Sequence, residues 1–383
     1  MFHRSLQNRL FLFLALSALL FPSPLVKAAS LVDPSKSSLD TKKKIRWYDA
    51  RALDVEGQGW SDLKSPYDRL PAKAESKVRG SVWSLSRHSS GIVIRFETDA
   101  TTILARWKLT SDRLEMPHMP ATGVSGLDLY VMTPKGWRWL ANGRPKGKET
   151  TATLVSNLPK EKRAYMLYLP LYNGVESLEI GVPENAQVFV PAPRPRSQRK
   201  PMVFYGTSIT HGACATRPGM THPAILGRRL ERPIINLGFS GNGRLEPEVA
   251  ELLTEIDASV YVIDCLPNVV AKDVAARTEP LVKIIREKRP DTPIVLVEDR
   301  SYADSFLVSS KRTRNLASRK ALKAAYEALK KAGVKNLYYI EGENLLGDDG
   351  EGTVDSSHPN DLGFVRQADA FEETLRPVLA PKS

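Results

Sequence analysis

"VFYGTSITHG", residues 203–212, decides how the second half of this 383-residue chain is read. Apolar residues run into Gly206, and Thr207, Ser208, Ile209 and Thr210 follow at once. That pattern is a buried strand ending in a turn, with Ser208 just past its carboxyl end. A serine there is either an ordinary turn residue or a nucleophile. In an open parallel sheet, ligands bind beyond the carboxyl ends of the strands, so the choice depends on whether the flanking sequence supplies such a sheet.

Downstream it does. "PIINLGF" (233–239), "ASVYVIDC" (258–265), "TPIVLVED" (292–299) and "NLYYIEG" (336–342) read as four more buried strands. Helical patterns lie between them at 223–230, 247–255, 271–288 and about 309–332. "SRKALKAAYEALKKAG" has apolar residues at i, i+3 and i+4 spacing and stops at Gly333. "DLGFVRQADAFEETLRPVL" closes the chain as a helix. Strands alternating with helices predict a flavodoxin-like, doubly wound parallel sheet over 202–380.

Upstream the period is different. Between 45 and 190, "GIVIRFET" (91–98), "TILARWKL" (102–109), "GLDLYVMT" (126–133), "GWRWLANG" (136–143) and "SLEIGVP" (177–183) are short strand-like runs between turn signals. No stretch here sustains a helical period. An antiparallel, jelly-roll-like β-sandwich is expected. "PAPRPRSQRKP" (191–201) is rich in proline and arginine and reads as an interdomain linker.

Residues 1–28 read as a signal peptide. His3, Arg4 and Arg9 precede an apolar run from Leu10 to Phe21, and Val26-Lys27-Ala28 fits a small-x-small cleavage site. The run is too short for a span of about 20 residues. The expected location is periplasmic or extracellular, with no membrane anchor once the leader is removed. The formal net charge of +12 would fall to +9. A basic surface attracts acidic polymers, but an exported chain with no interleaved Arg–aromatic motif is not expected to bind nucleic acid. Cys214 and Cys265 are the two cysteines. In an oxidising compartment they form a candidate disulfide, with two buried free thiols as the alternative.

A nucleophilic serine needs a base, a residue to orient that base, and donors for the oxyanion. Of six histidines, His358 alone lies after the last strand, in "VDSSHPND", with Asp355 three residues before it. Positions i and i+3 of a turn face the same side, so Asp355 can hold the imidazole. Glu115 and His118 in "LEMPHMP" are a rival pair in the β-rich half. Gly241 in "NLGFSGNG" offers a backbone N–H where a side chain would obstruct approach. Asn268, ending "DCLPN", offers a side-chain amide. As alternatives, Gly241 would be a turn glycine, Asn268 a helix cap and His358 a surface histidine. The placement of all four after strands of one sheet favours the catalytic reading.

These blocks resemble the SGNH (GDSL-type) hydrolases, named for Ser, Gly, Asn and His in four sequence blocks. Here they are Ser208 in "YGTSIT", Gly241 in "FSGNG", Asn268 in "CLPN" and His358 in "DSSH". "GLDLY" (126–130) is similar to the motif naming the β-rich N-terminal domain of a secreted two-domain subgroup. Thr207 stands where the family's Asp would be and Ile209 where its Leu would be, and Leu266 and Val269 replace the Gly and Asp of the third block. The resemblance implies a Ser208–His358–Asp355 triad and an oxyanion hole of the Ser208 and Gly241 N–H groups with the Asn268 amide. It implies no metal and no cofactor.

The subgroup resembles carbohydrate esterases, so an acetylated glycan is the expected substrate. Arg217, Arg300, Tyr302 and, from the β domain, His118 are candidate substrate contacts, with salt bridging or loop packing as the favoured alternative for the first three. Two alternatives stand: a lipid or thioester hydrolase, for which the sequence shows no exposed apolar stretch, and a glycan-binding protein without activity.

Overall fold

The computed structural model describes residues 28–380. The expected leader falls outside them, Ala28 excepted. Among the described residues no helix is long and apolar enough to cross a membrane.

The second half is a five-stranded parallel sheet. Its spatial order is Ile234–Gly238, Met202–Gly206, Val260–Asp264, Ile294–Val297, Leu337–Ile340. The strands are apolar throughout because both faces are covered. Alternate residues go to opposite cores. Val203 and Tyr205 pack toward helices Pro247–Thr254, Ala271–Lys288 and Ser309–Lys331. Met202 and Phe204 pack with Ile225, Leu226, Phe364 and Phe371 of helices His222–Arg229 and Asp361–Leu379. The helices expected at 271–288 and over the closing stretch 361–379 have those bounds, and the others differ by a residue at one or both ends.

The first half holds two antiparallel sheets around their own core. One contains strands Val93–Thr98, Arg163–Tyr168, Leu127–Thr133 and Gly136–Gly143, and the other Ile45–Asp49, Val175–Pro183, Ile103–Leu109 and Glu149–Val155. Phe96, Trp107, Leu129, Leu167 and Ile180 meet between them.

The two halves are not simple beads on a string. The short helices Ala72–Ser76 and Gly80–Ser86 belong to the first half in sequence, yet Leu70, Ala74, Val78 and Val82 lie buried in the core of the second, beside Tyr205, Leu237 and Phe239. Burial of a leucine or valine side chain such as Leu70 or Val82 contributes about 1.5–3 kcal/mol. Nor is 191–201 a free tether. Arg194 donates from Nε and Nη2 to the Glu56 carboxylate (2.6 and 2.8 Å) and from Nη1 to the Glu231 carbonyl, pinning the segment to both halves.

The "GLDLY" motif is the chief polar fastening of the seam. Asp128 is fully buried on strand Leu127–Thr133. Its carboxylate accepts from Arg217 Nη1 (2.9 Å), the Gly219 N–H (2.8 Å) and Trp139 Nε1 (2.8 Å). Burial pushes its pKa up, against the pull of Arg217. The Tyr130 hydroxyl oxygen accepts from the same arginine. Breaking a buried pair by removing one charge costs about 3–5 kcal/mol. Asp128→Asn should therefore lower the unfolding free energy by about 3 kcal/mol in a denaturant titration, and Trp139→Phe, which removes one neutral donor, by about 1 kcal/mol.

Candidate active site

Strand Met202–Gly206 delivers Ser208 to the first position of a one-turn helix, Ser208–His211. Thr207, where the related motif has Asp, caps that turn by accepting from the Ile209 N–H. The next strand passes so close that a Cβ on Gly238 would sit 2.1 Å from the His211 nitrogen. The turn is thus wedged between strand ends, and Ser208 is almost wholly buried.

His358 lies at the other end of the domain's sequence and beside Ser208 in space. Its Nε2 is 2.8 Å from Ser208 Oγ. Its Nδ1 is 2.7 Å from Asp355 Oδ2. Asp355 Oδ1 accepts the backbone N–H groups of Ser357 and His358. Ser356, at φ 72°, reverses the chain so that this short loop closes. Burial opposes ionisation of Asp355, but the His358 and Ser357 hydrogen bonds outweigh it and hold its carboxyl below the usual carboxylate range. An ionised Asp355 keeps the proton on Nδ1, which leaves the Nε2 lone pair facing the serine hydroxyl. The arrangement can take a proton from Ser208 and return it.

Asn268 ends a short 3-10 turn, Leu266–Asn268. Its Nδ2 is buried and has no hydrogen-bond partner among the described residues. It does not cap the following helix, whose N-cap is Val270. A buried donor with no acceptor is costly and is what an oxyanion hole presents between turnovers. At Gly241 the requirement is conformational: φ is 68°, and an added Cβ would meet no atom within 4 Å.

Two of the candidate substrate contacts, Arg217 and Arg300, are taken up by protein partners. Arg217 is occupied by Asp128 and Tyr130 at the seam. Arg300 is buried, with both Nη atoms on Asp264 and Nε on Gln367 Oε1 (2.6 Å), so it offers no guanidinium to a ligand. Tyr302 is half-buried beneath Lys311 and Arg314. His118 is exposed in a loop whose Met119 packs with Ile209 and Ala215, and Glu115 makes no hydrogen bond to it among the described residues. Cys214 and Cys265 are free buried thiols, not a disulfide. Cys265 donates to the Tyr205 carbonyl inside the core. Burial, with the Asp355 charge adding to it, pushes Cys214 up to about 12.

Sequence reasoning missed the braces from the β domain. Arg69 is buried, makes no ion pair among the described residues, and donates to the carbonyls of Asn236 (3.0 Å) and Gly238 (2.8 Å), just before the Gly241 loop. Tyr172 stacks on His211 at 4.1 Å, and its hydroxyl approaches the Ser208 carbonyl at 3.4 Å. His211 in turn donates Nε2–H to the Leu171 carbonyl (2.7 Å). No local motif marks these residues. The expectation of no exposed apolar stretch is also overturned, because Phe306 and Leu307 stand 73% and 80% exposed on the loop after strand Ile294–Val297.

Asn268→Ala should lower kcat on an activated acetyl ester by about 10²–10³ with little change in KM, the signature of a lost oxyanion donor. Asp355→Asn should lower it by roughly 10³–10⁴. Steady-state kinetics on the purified variants would check both.

The GDSL-like lipase/acylhydrolase family matches residues 199–376, and the GxDLY N-terminus of SGNH-hydrolase-type esterases matches residues 45–188. No curated protein matches the chain significantly. A solved structure from Bacteroides ovatus, described as a candidate GDSL-like lipase, is 36% identical, with 88% of this chain and 98% of that one covered and a TM-score of 0.82. A salicylyl-acyltransferase from a tetracycline biosynthetic pathway is 20% identical over 89% of this chain and 97% of its own, at TM-score 0.68. A family two carbohydrate esterase from Clostridium thermocellum, solved with cellohexaose, is 16% identical over 76% and 93%, at TM-score 0.55. The last two share the fold. With the Bacteroides protein matched over nearly its whole length, and both halves matched by family, the chain belongs to the GDSL-like lipase/acylhydrolase family in its GxDLY two-domain form and is an ester hydrolase.

Proposed function

We propose that the protein is an exported serine esterase that removes small acyl groups, acetyl foremost, from polysaccharides or oligosaccharides. The observation that carries this reading is the continuous relay from Ser208 through His358 to Asp355, at 2.8 and 2.7 Å, with the unpartnered amide of Asn268 on the segment after the neighbouring strand. The leader-like residues 1–28 support export. Fold kinship with a carbohydrate esterase supports the choice of substrate.

In this mechanism His358 Nε2 takes the Ser208 proton as Oγ attacks the acyl carbon. The carbonyl oxygen, now an anion, is held by the N–H groups of Ser208 and Gly241 and by Asn268 Nδ2. The C–O bond to the sugar breaks, and the leaving oxygen takes the proton from His358. Water then adds to the acyl-serine by the same route, and the carboxylic acid leaves as Ser208 recovers its proton. An intact relay argues against a glycan-binding protein without activity.

Acetate release from acetylated xylan, mannan and pectin, compared between the wild type and Ser208→Ala, tests the reading. The expected outcome is release by the wild type and a loss of about 10⁴-fold or more in the variant. Equal release by both would remove Ser208 from the mechanism.

A further inference from the structure

Ten large apolar side chains stand open to solvent among the described residues. Six of them, Val270, Phe306, Leu307, Val308, Val354 and Leu362, lie on the segments that follow strands Val260–Asp264, Ile294–Val297 and Leu337–Ile340, at the sheet edge that also carries Asn268, Asp355 and His358. Val270 follows Asn268 by two residues, Val354 precedes Asp355, and Leu362 opens the helix after His358. The loop bearing Phe306–Val308 is fastened to the loop of the relay. The Ala303 N–H donates to the Ser356 carbonyl (2.9 Å), and Lys311 Nζ donates to Ser356 Oγ (2.8 Å). Arg314 Nη2, on the helix that follows, donates to the Pro267 carbonyl (2.8 Å), one residue before Asn268. The Phe306–Val308 loop is therefore tied by hydrogen bonds to the segments that carry Asp355 and Asn268.

Scattered exposed apolar residues need no explanation, but a cluster beside a reaction centre marks where something binds. Behind Phe306 lies a hollow of about 340 Å³, also bordered by Tyr302, Leu346 and Thr353. That volume accepts one ring. Its ionisable lining is acidic, Glu343 and Asp348, and the two guanidinium groups that reach its wall, Arg366 at the Leu346 carbonyl and Arg319 at Ser301 Oγ, already face Asp349 and Glu298. The overall charge of the chain is basic, but the charge at this rim is not.

We propose that the Phe306–Val308 loop and the hollow behind it hold the alcohol side of the ester, and that this alcohol is a flat, uncharged ring. An aryl ring and the C–H face of a neutral pyranose share that chemistry, whereas a uronate would bring its carboxylate against Glu343 and Asp348. The inference rests on the esterase reading and narrows it, from acetylated glycans in general to neutral ones.

The test is the double variant Phe306→Ser, Leu307→Ser. Both side chains are mostly exposed, so their loss leaves no cavity and the melting temperature should not move. Kinetics would be run on methyl acetate, 4-nitrophenyl acetate, a mono-acetylated methyl xyloside and a mono-acetylated methyl galacturonoside. The expected result is a KM increase of about tenfold for the aryl ester and the xyloside, with kcat unchanged and methyl acetate unaffected. The wild type should prefer the xyloside to the galacturonoside. An equal effect on methyl acetate, or no preference between the two sugars, overturns the proposal.

A binding arm separates this failure from failure of the esterase reading. Ser208→Ala protein, with and without the two serine substitutions, would be titrated with acetylated xylo-oligosaccharide by calorimetry. Weaker binding in the triple variant supports the surface whatever becomes of Ser208, and unchanged binding overturns it. Flotation with phosphatidylcholine vesicles and sedimentation velocity complete the set. Vesicle binding or dimerisation that depends on Phe306 and Leu307, without an effect on sugar binding, would assign the patch to lipid or to a second copy and overturn the proposal.

Discussion

Asp264 and Arg300 form an ion pair from which water is almost excluded, with the two side chains 0% and 2% exposed. Such a pair is costly to bury and tolerable only when every remaining polar atom is met. Here the surroundings meet them. Thr210 Oγ1 donates to Asp264 Oδ2 at 3.1 Å, and Gln367 Oε1 accepts from Arg300 Nε. The four residues belong to the nucleophile's turn, the end of the strand before Asn268, the loop after the fourth strand and the last helix. Those are the elements that carry or flank Ser208, Asn268, Phe306 and His358. A densely packed interior transmits position with little slack, so the hydrogen bond between Ser208 and His358 depends on this pair beneath it. His222, close to Asp264, is held neutral mainly by burial, with Arg300 adding to it, and stacks on Phe364. It fills the same region without adding charge.

The β domain completes what the parallel sheet begins. Arg69 gathers the carbonyls at the end of strand Ile234–Gly238 together with those of His88 and Leu85. Ser90 Oγ donates to the His211 carbonyl at 2.7 Å. Tyr172 lies flat against the His211 ring. The serine turn is therefore clamped from below by its own domain and from the side by the other. The first half of the chain is a wall of the site, and the geometry gives no support for treating it as an appended module.

How much of this could be read from the sequence follows from how local each signal is. The strands and helices of the second half were legible because burial on both faces imposes continuous apolar runs, and Pro247 and Gly333 punctuate them. Ser208, Asp355 and His358 were legible as a set because strand ends of a parallel sheet converge. Their contacts could be anticipated from order alone, without knowing a distance. The sequence left Arg217 and Arg300 open between ligand contact and salt bridge for one reason: an arginine on a strand-end loop looks the same whether it faces a ligand or a buried carboxylate, and the partners Asp128 and Asp264 lie 89 and 36 residues away. Arg69 and Tyr172 were invisible because their partners are backbone carbonyls and a ring across the seam. The cysteines could not be resolved because loop adjacency does not fix side-chain direction.

Leu70, Ala74, Val78 and Val82 make the order of the chain matter. These side chains leave the ribosome long before the sheet they cover, so their contacts are among the most distant in sequence that this fold must close, and distant contacts slow folding. During that interval they are an apolar segment without a partner. The same placement defeats cut-and-paste recombination. Dividing the gene at the proline-rich segment and joining the hydrolase to a different N-terminal partner would strip one face of its core and expose Tyr205, Leu237 and Phe239 to water. The two halves of this chain can be inherited or exchanged only together.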